Sequence, residues 1–316
     1  MPIEKPRWAW IDGEFVPYEK CVLHVRTQAV MTGGSVFEGI RGYWNSEQQE
    51  LYLFRIADHL QRLSASMKVM RMSPIVGVDL SQVCLELIAR NEFRSDVGLV
   101  PAAYFGVGPE FSGLAKPQDE GLFITAVSRQ QGRSLISGIH LRTSSWRRIS
   151  DASMPPRVKT AANYHNSRLA LIEARADGYD NAIFLNHDGT VAEATGASVL
   201  MVRKGQLCTP PITSSILESV TRSTILALAS QIGVEAVERP IDRTELYVAD
   251  EVLLCGTAQE VTPVLSLDRI PIGDGNPGPI TQRFQNLYSK VVRGEDSTGY
   301  DWRTPVYGRL RAPAAT

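Results

Sequence analysis

The sequence predicts a mixed α/β (α+β) protein of two domains, and three observations lead to this prediction. The chain has 316 residues, and a typical domain has about 150. Short runs of β-forming residues alternate with segments whose apolar residues have helical spacing. A polar stretch without periodicity follows residue 127. We therefore predict a small N-terminal domain at 1–127, an interdomain loop at 128–138 and a larger C-terminal domain at 139–316.

The composition argues against several classes of protein. The chain has 33 basic and 34 acidic side chains, and this balance argues against binding to nucleic acid. With 43% hydrophobic residues it is too apolar for a disordered protein. It has no run of about 18 apolar residues that could span a membrane. The N-terminus lacks the apolar stretch of a signal peptide, so we expect a cytoplasmic protein. The cysteines form no CxxC pair, so we expect neither a metal site nor a disulfide.

The N-terminal half begins with a predicted β-hairpin. Asp12-Gly13 accepts the positive φ angles of a tight turn between two short β-forming runs. Apolar spacing predicts two helices further on, the second with Asp79 as its N-cap. The predicted elements of this half are strands at 8–11, 14–17, 39–43, 51–54, 97–107 and 122–127, and helices at 55–70 and 79–91.

The C-terminal half reads as mostly β with flanking helices. Gly178 and Gly233 are predicted to end its two helices. The tail after Arg293 is rich in Gly, Pro and charged residues, so we predict that it frays. The predicted elements are helices at 161–176 and 221–231, and strands at 181–185, 190–193, 199–202 and 251–255.

Lys159 is the first residue that could carry chemistry. It stands at the entry to a predicted helix that carries Tyr164 in its first turns. A lysine is usually a solvated side chain. The functional alternative is a nucleophilic amine that forms a Schiff base with a carbonyl compound.

Four other places offer groups for a flat ring or for an anion. Glu193 precedes small residues that would let a ring approach the backbone, and the alternative is a surface Glu beside a bend. Hydroxyl residues at 214–224 lead into a helix, which indicates either a phosphate site or ordinary capping. A strand ends at Gly256-Thr257, where the alternative is a plain turn. Arg62, one helical turn after His59, is either a bidentate phosphate partner or a surface Arg.

Together these places resemble one family, the branched-chain amino acid aminotransferases among the fold-type-IV pyridoxal-phosphate enzymes (class IV aminotransferases). The resemblance covers roughly residues 8–305. It implies a small α/β N-terminal domain, a larger pseudo-barrel C-terminal domain, a cofactor site between them and a homodimer. The matching stretches are 35–41, 59–63, 144–146, 159–164, 193, 221–222, 249–252 and 256–258.

The resemblance also implies a role for each matching residue. Lys159 would hold pyridoxal phosphate and move the proton of the reaction. Glu193 would pair with the pyridine nitrogen, and Tyr164 with the ring oxygen. The cofactor phosphate would be bound by Arg62, Val220, Thr221 and Thr257. Further cofactor contacts are expected from Gly196, Leu217 and Gly256, and substrate contacts from Phe37, Arg41, Arg129, Thr257 and Ala258.

The implied reaction is a ping-pong transamination. An amino donor, branched-chain or otherwise hydrophobic, would give its amino group to the cofactor. A 2-oxo acid such as 2-oxoglutarate would then accept it. The same resemblance also includes a lyase acting on aminodeoxychorismate and a non-catalytic cofactor binder, both disfavoured by the matching stretches.

Five positions depart from the pattern of the branched-chain enzymes. Thr32 stands where those enzymes carry a tyrosine, and Val100 where they carry an arginine that helps to organise carboxylate recognition. Arg129 replaces an aromatic residue, and Glu218-Ser219 replaces Pro-Gly. The cofactor set is thus intact while the substrate set is altered.

Three interpretations of the altered substrate set stay open. Arg129 or Arg41 could replace the missing cation for the substrate carboxylate. The enzyme could instead accept amines without an α-carboxylate, like the (R)-selective amine transaminases of the same fold. It could also be a specialised transaminase of a biosynthetic pathway.

Overall fold

A computed structural model describes residues 5–107, 119–129 and 134–308. Within these residues the chain divides into two compact units. The first unit contains the described residues up to 129 together with 158–162 and 290–308, and the second contains 134–157 and 163–289. Residues 158–162 and 290–308, which the sequence assigns to the C-terminal domain, group with the first unit.

The elements are numbered in chain order. The strands are β1 Trp8–Ile11, β2 Glu14–Pro17, β3 Ser35–Phe37, β4 Ile40–Asn45, β5 Glu50–Phe54, β6 Val97–Phe105, β7 Glu120–Ser128, β8 Ile139–Arg147, β9 Asn181–Leu185, β10 Val191–Ala194, β11 Ser198–Arg203, β12 Gln206–Thr209, β13 Ala236–Glu238, β14 Glu251–Gly256, β15 Glu260–Leu267, β16 Ile270–Pro271 and β17 Arg303–Pro305. The helices are α1 Gln28–Thr32, α2 Ile56–Val69, α3 Leu80–Arg90, α4 Ser134–Ser137, α5 Tyr164–Ala176, α6 Val220–Ala229, α7 Arg243–Tyr247 and α8 Pro279–Arg293. Short 3₁₀ helices lie at Tyr18–Lys20, Ala161–Asn163, Ser230–Ile232 and Tyr300–Trp302.

The first unit is built on one antiparallel sheet. Within the described residues its strand order is β17-β5-β4-β6-β7-β1-β2, and β3 pairs with β6. One face carries fully buried apolar residues such as Ile40, Leu99 and Ile124, which share a core with Leu63 of α2 and Leu87 of α3. Because side chains alternate along a strand, the neighbours of these residues lie on the opposite face.

The second unit is built on a mixed sheet. Within the described residues its strand order is β10-β9-β8-β15-β14-β11-β12-β13, and β16 pairs with β15. β8 runs parallel to both β9 and β15, whereas β14 is antiparallel to both of its neighbours. Its core includes Leu141, Val199, Met201 and Leu254, each at most 1% exposed.

Several local predictions are confirmed. Asp12 and Gly13 have φ angles of 48° and 97° and join β1 to β2. The Asp79 side chain accepts a hydrogen bond from the Gln82 N–H at 3.1 Å and caps α3. Gly233 has a φ of 65° and ends the 3₁₀ turn that continues α6.

The predicted fraying of the tail is wrong for residues 294–308. β17 pairs with β5, and Val306 is fully buried. The Glu50 carboxylate accepts the N–H groups of Val306, Tyr307 and Gly308 at 3.0, 2.8 and 2.7 Å. A buried acceptor distant in sequence therefore holds a segment whose own composition favours disorder.

The structure also contains a long helix that we did not predict. α8 carries buried residues at Thr281, Phe284, Tyr288 and Val291, which is helical spacing. Part of the predicted interdomain loop is likewise regular, because α4 covers Ser134–Ser137. Residues 130–133 of that loop lie outside the described residues.

Candidate active site

Lys159 lies in a short segment that is tied to β3 and α2 of the first unit. Its backbone N–H donates to the Ser66 hydroxyl at 3.2 Å, and its carbonyl accepts from the Phe37 N–H at 2.9 Å. The Thr160 hydroxyl donates to the Ser35 carbonyl at 2.7 Å. Lys159 is half-buried, with its amine nitrogen 5.1 Å from the centre of the Phe37 ring. The backbone that carries the amine is therefore fixed by a strand and a helix.

The same helix carries the predicted phosphate partner. Ser66 of α2 lies on the helix face that also presents His59 and Arg62, because residues three, four and seven apart share a face. Arg62 makes a bidentate ion pair with Glu38, with Nε–Oε1 and Nη2–Oε2 distances of 2.7 Å. His59 Nδ1 lies 2.7 Å from Oε2 of the same carboxylate.

The charge state of this cluster follows from burial and hydrogen bonding. Burial opposes ionisation of Glu38, but hydrogen bonds from Arg62 and His59 outweigh it and lower its pKa to about 2. Burial lowers the pKa of His59 despite its hydrogen bond to Glu38. At neutral pH, His59 is therefore uncharged. Its Nδ1–H donates to the Glu38 carboxylate, which is ionised and can only accept hydrogen bonds. The positive charge of Lys159 also acts to lower the pKa of His59.

Glu193 of β10 is held from two sides in the second unit. Its Oε1 lies 2.6 Å from Nη2 of Arg148, and its Oε2 accepts the Leu217 N–H at 3.1 Å. Arg148 is itself anchored, since Nε donates to the Ser215 carbonyl at 3.2 Å. Both side chains are less than a tenth exposed. The carboxylate is thus a buried, oriented anion.

α6 begins where the sequence predicted an anion site. Val220 and Thr221 form its first turn, and both are buried. The Ser219 side chain accepts the Arg222 N–H at 3.2 Å, so this hydroxyl is the ordinary N-cap of the helix. The helix N-terminus supplies N–H groups and a positive dipole end, which suit a phosphate.

The turn at Gly196 and the end of β14 at Gly256 lie close together. Gly196 has a φ of 84°, and a Cβ built there would have no heavy atom within 4 Å. A Cβ at Gly256 would lie 3.4 Å from the Gly196 carbonyl oxygen. Half-buried Thr257 and exposed Ala258 follow Gly256 in the turn that leads to β15. The described residues thus offer open backbone, a buried anion and a helix N-terminus within the second unit.

The candidate substrate cations Arg41 and Arg129 lie on the sheet face opposite the core of the first unit. Arg41 is paired in register with Gly98 and Gly98 with Val127, two residues before Arg129. Arg129 is exposed, and a Cβ at Gly98 would lie 3.0 Å from its Nε. The Arg129 side chain therefore lies over Gly98, where a larger residue would displace it. Arg41 is buried, with its guanidinium carbon 5.6 Å from the centre of the Tyr43 ring.

The remaining predicted residues and departures take ordinary positions. Tyr164 begins α5 and is 36% exposed, and Leu217 is half-buried. Thr32 is the exposed last residue of α1. Val100 is half-buried on β6, paired with Thr125.

Sequence reasoning missed two partners that orient site residues. Glu38 was part of a recognised stretch but received no role, and Arg148 received none at all. Nothing in the sequence around Glu38 or Arg148 marks them, and only their three-dimensional pairing with Arg62 and Glu193 distinguishes them. Within the part of the chain that the structure describes, no cluster of His, Cys, Asp or Glu could hold a metal ion. No helix among the described residues is long and apolar enough to cross a membrane.

Known proteins resemble this chain over nearly its whole length. Residues 35–267 match the family model for amino-transferase class IV. A probable branched-chain-amino-acid aminotransferase of Aquifex aeolicus is 39% identical over 306 residues, covering 96% of this chain and 97% of that protein.

Solved structures agree with the sequence relatives. The branched-chain amino acid aminotransferase of Thermobaculum terrenum in its PLP form has a TM-score of 0.89 and 43% identity, covering 95% of this chain and 98% of its own. The branched-chain aminotransferase of Thermoproteus uzoniensis with norvaline has a TM-score of 0.89 and 37% identity, covering 96% and 100%. The predicted family resemblance, fold class, cofactor and enzyme type are confirmed.

Proposed function

This chain belongs to the class IV aminotransferase family, and we propose that it moves the amino group of branched-chain or other hydrophobic amino acids to a 2-oxo acid such as 2-oxoglutarate. The Aquifex and Thermobaculum relatives are named for branched-chain amino acids, and the Thermoproteus structure holds norvaline, an aliphatic amino acid. The observation that carries the proposal is the joint anchoring of Lys159 and Arg62 on one strand and one helix.

Lys159 is the proposed catalytic residue. Bound pyridoxal phosphate supplies an electrophilic carbon for the amino group and a ring that withdraws electrons from the substrate. Lys159 would hold the cofactor through its amine, and the same amine, when free, would move the proton at the α-carbon of the substrate. The backbone contacts of Lys159 with Ser66 and Phe37 keep this amine in place for both tasks.

The other cofactor residues divide the work of binding. Arg62, the first turn of α6 and Thr257 would each contribute to binding the phosphate, which places binding energy away from the reacting carbon. Glu193 would keep the pyridine nitrogen protonated, and Tyr164 would donate to the ring oxygen. Leu217 and the glycines at 196 and 256 would contact the ring.

In this proposal, substrate recognition rests on the sheet face of the first unit that lies opposite its core. Arg129 over Gly98 supports a role as the cation for a substrate carboxylate, because an exposed guanidinium forms bidentate contacts with carboxylates. Arg41 is the second candidate cation. We assign Phe37, Thr257 and Ala258 to the remaining substrate contacts.

A screen of half-reactions tests this function. Purified enzyme loaded with pyridoxal phosphate is mixed separately with L-leucine, L-isoleucine, L-valine, their D-forms and (R)-1-phenylethylamine, and the cofactor absorbance is followed. We expect fast conversion by the branched-chain L-amino acids and reversal by 2-oxoglutarate. Conversion by the amine alone, with no response to any amino acid, would overturn the proposed substrate class.

A second candidate function is amine transamination. Val100 stands where the branched-chain enzymes carry an arginine, and it is half-buried and apolar. An enzyme without that charge accepts a neutral substituent in place of the carboxylate. The (R)-1-phenylethylamine arm of the screen decides between the two. Pyruvate release without an amino acceptor would instead indicate the aminodeoxychorismate lyase reaction.

We further propose a cytoplasmic homodimer. Each of the four cysteines, all within the described residues, is a free thiol, as expected in a reducing compartment. Val22, Val25 and Met31 of the first unit are 69%, 68% and 57% exposed, and such apolar surface is typical of an interface. Light scattering after size exclusion should give twice the mass of one chain.

A further inference from the structure

Glu38 connects the two residues that hold the cofactor in the proposed function. It follows Phe37, whose N–H holds the Lys159 carbonyl, and its own N–H donates to the Pro101 carbonyl at 2.8 Å. Its side chain is fully buried, and both carboxylate oxygens accept hydrogen bonds from Arg62. Phe37 and Glu38, consecutive residues at the end of β3, therefore position the backbone of Lys159 and the side chain of Arg62.

The cluster is balanced in charge. Glu38 carries one negative charge, Arg62 one positive charge and His59 none, so the three side chains sum to zero. Two carboxylate contacts at 2.7 Å define the plane of the guanidinium, and His59 fixes the carboxylate from a third direction. An arginine held in this way acts on a phosphate through directed hydrogen bonds.

We propose that Glu38 is a positioning residue for cofactor binding, which orients the Arg62 guanidinium and offsets its charge so that the phosphate is bound by geometry more than by net charge. This inference rests on the proposed function, since it needs pyridoxal phosphate at Arg62. In metal sites, partners that orient a ligand change affinity by about 10- to 100-fold, and we expect a comparable effect here.

The test compares pyridoxal phosphate with pyridoxal, which lacks the phosphate, at several salt concentrations. The variants are Glu38→Gln, which removes the charge, and Glu38→Asp, which keeps the charge on a shorter side chain. Asp96→Asn is the matched control. Asp96 makes a bidentate pair with Arg293 in the same unit, at 2.8 and 2.6 Å.

We expect Glu38→Gln to weaken binding of pyridoxal phosphate by at least about tenfold, with unchanged affinity for pyridoxal. Its affinity should also fall more steeply with salt, because an uncompensated arginine binds through net charge. Glu38→Asp should weaken binding while keeping the salt dependence of the wild type. Asp96→Asn should lower stability and leave both affinities unchanged.

Three results would overturn the inference. The first is wild-type affinity and salt dependence in both Glu38 variants. The second is an equal loss of affinity for pyridoxal phosphate and for pyridoxal in the Glu38 variants. The third is a loss of affinity in Asp96→Asn as large as that in Glu38→Gln. A wild-type protein that binds no pyridoxal phosphate would instead overturn the proposed function.

Discussion

In each unit a charged site residue is paired with a buried residue of opposite charge, and the signs of the two charges are reversed between the units. In the first unit the proposed functional group is a cation, Arg62, and a buried acid, Glu38, holds it. In the second unit the proposed functional group is an acid, Glu193, and a buried cation, Arg148, holds it. A buried ion pair is a poor source of stability but a good means of fixing orientation. In the proposed function, one member of each pair would act on the cofactor, and the other would hold the first in place.

The largest effect is expected for Lys159, which belongs to neither ion pair. In the proposed function the two ion pairs orient site residues, and Lys159 carries out the chemistry. Lys159→Ala should lower kcat by about 10⁴-fold, the upper range for loss of a general acid–base group. Lys68→Ala on the exposed side of α2 is the control and should leave kcat unchanged. Steady-state turnover near the wild-type level in Lys159→Ala would refute the assignment.

The second prediction separates the two members of the Glu193 pair. Glu193→Gln should lower kcat by about 10²-fold, because it removes the charge that keeps the ring nitrogen protonated. Arg148→Met should lower kcat less than Glu193→Gln does. It should reduce the free energy of unfolding by about 3–5 kcal/mol, because it leaves the buried Glu193 carboxylate without its charged partner. Stopped-flow kinetics and urea unfolding measure the two effects.

A more exposed ion pair serves as the control for Arg148. Arg203 and Glu245 form a contact at 2.5 Å, and the Arg203 side chain is 34% exposed. Arg203→Met should reduce the free energy of unfolding by less than about 1 kcal/mol. Equal losses in Arg148→Met and Arg203→Met would remove the distinction between held site residues and surface pairs.

The third prediction concerns pH and the Glu38 pair. The pKa of Glu38 is lower in the folded protein than its ordinary 4.5, so this ion pair stabilises the fold above pH 4.5. The stabilisation is lost as the pH falls from 4.5 towards about 2. The stability difference between wild type and Glu38→Gln should shrink over that window by on the order of 3 kcal/mol. Urea unfolding at successive pH values measures the difference, and a gap that does not change would contradict the charged state of Glu38.

His59 adds a second pH dependence of the same sign. Its pKa is lower in the folded protein than its ordinary 6.5, so the uncharged ring stabilises the fold above that pH. This contribution is lost as the pH falls below 6.5. The loss begins near pH 6.5 for His59 and near pH 4.5 for Glu38, so the part of the unfolding series above pH 4.5 reports on His59.

The smallest effect is expected for substrate recognition. Arg129→Ala should raise the KM for leucine and for 2-oxoglutarate by about tenfold, the loss of one charged contact of about 1.4 kcal/mol. The KM for an amine without a carboxylate should not change. Arg7→Ala, at an exposed arginine of the same unit, is the control. An unchanged KM for both acids would remove Arg129 from the substrate site.

Local signals predicted much of the fold. The Asp12-Gly13 turn, the Asp79 cap and the end at Gly233 each depend on residues close in sequence, and each is present. The order of residues 303–308 depends on Glu50, far away in sequence, so local composition could not show it. α8 had a readable periodicity and was simply missed.

The residues of the candidate site also divide into those that local sequence predicts and those that depend on contacts between distant residues. Lys159, Arg62 and Glu193 could be proposed as site residues because each lies in a stretch that resembles a family. Their partners are not recorded in sequence spacing, since Glu38, directly after β3, contacts helix α2, and Arg148 in a loop contacts strand β10. The position of Arg129 over Gly98 likewise follows from strand register.

The most direct measurement asks which lysine carries the cofactor. The enzyme is loaded with pyridoxal phosphate, reduced with borohydride, digested and analysed by mass spectrometry. We predict one modified peptide, the one that contains Lys159, and no label after prior conversion with L-leucine. A label on another lysine, or an unlabelled Lys159 in an enzyme that still transaminates leucine, would contradict the account.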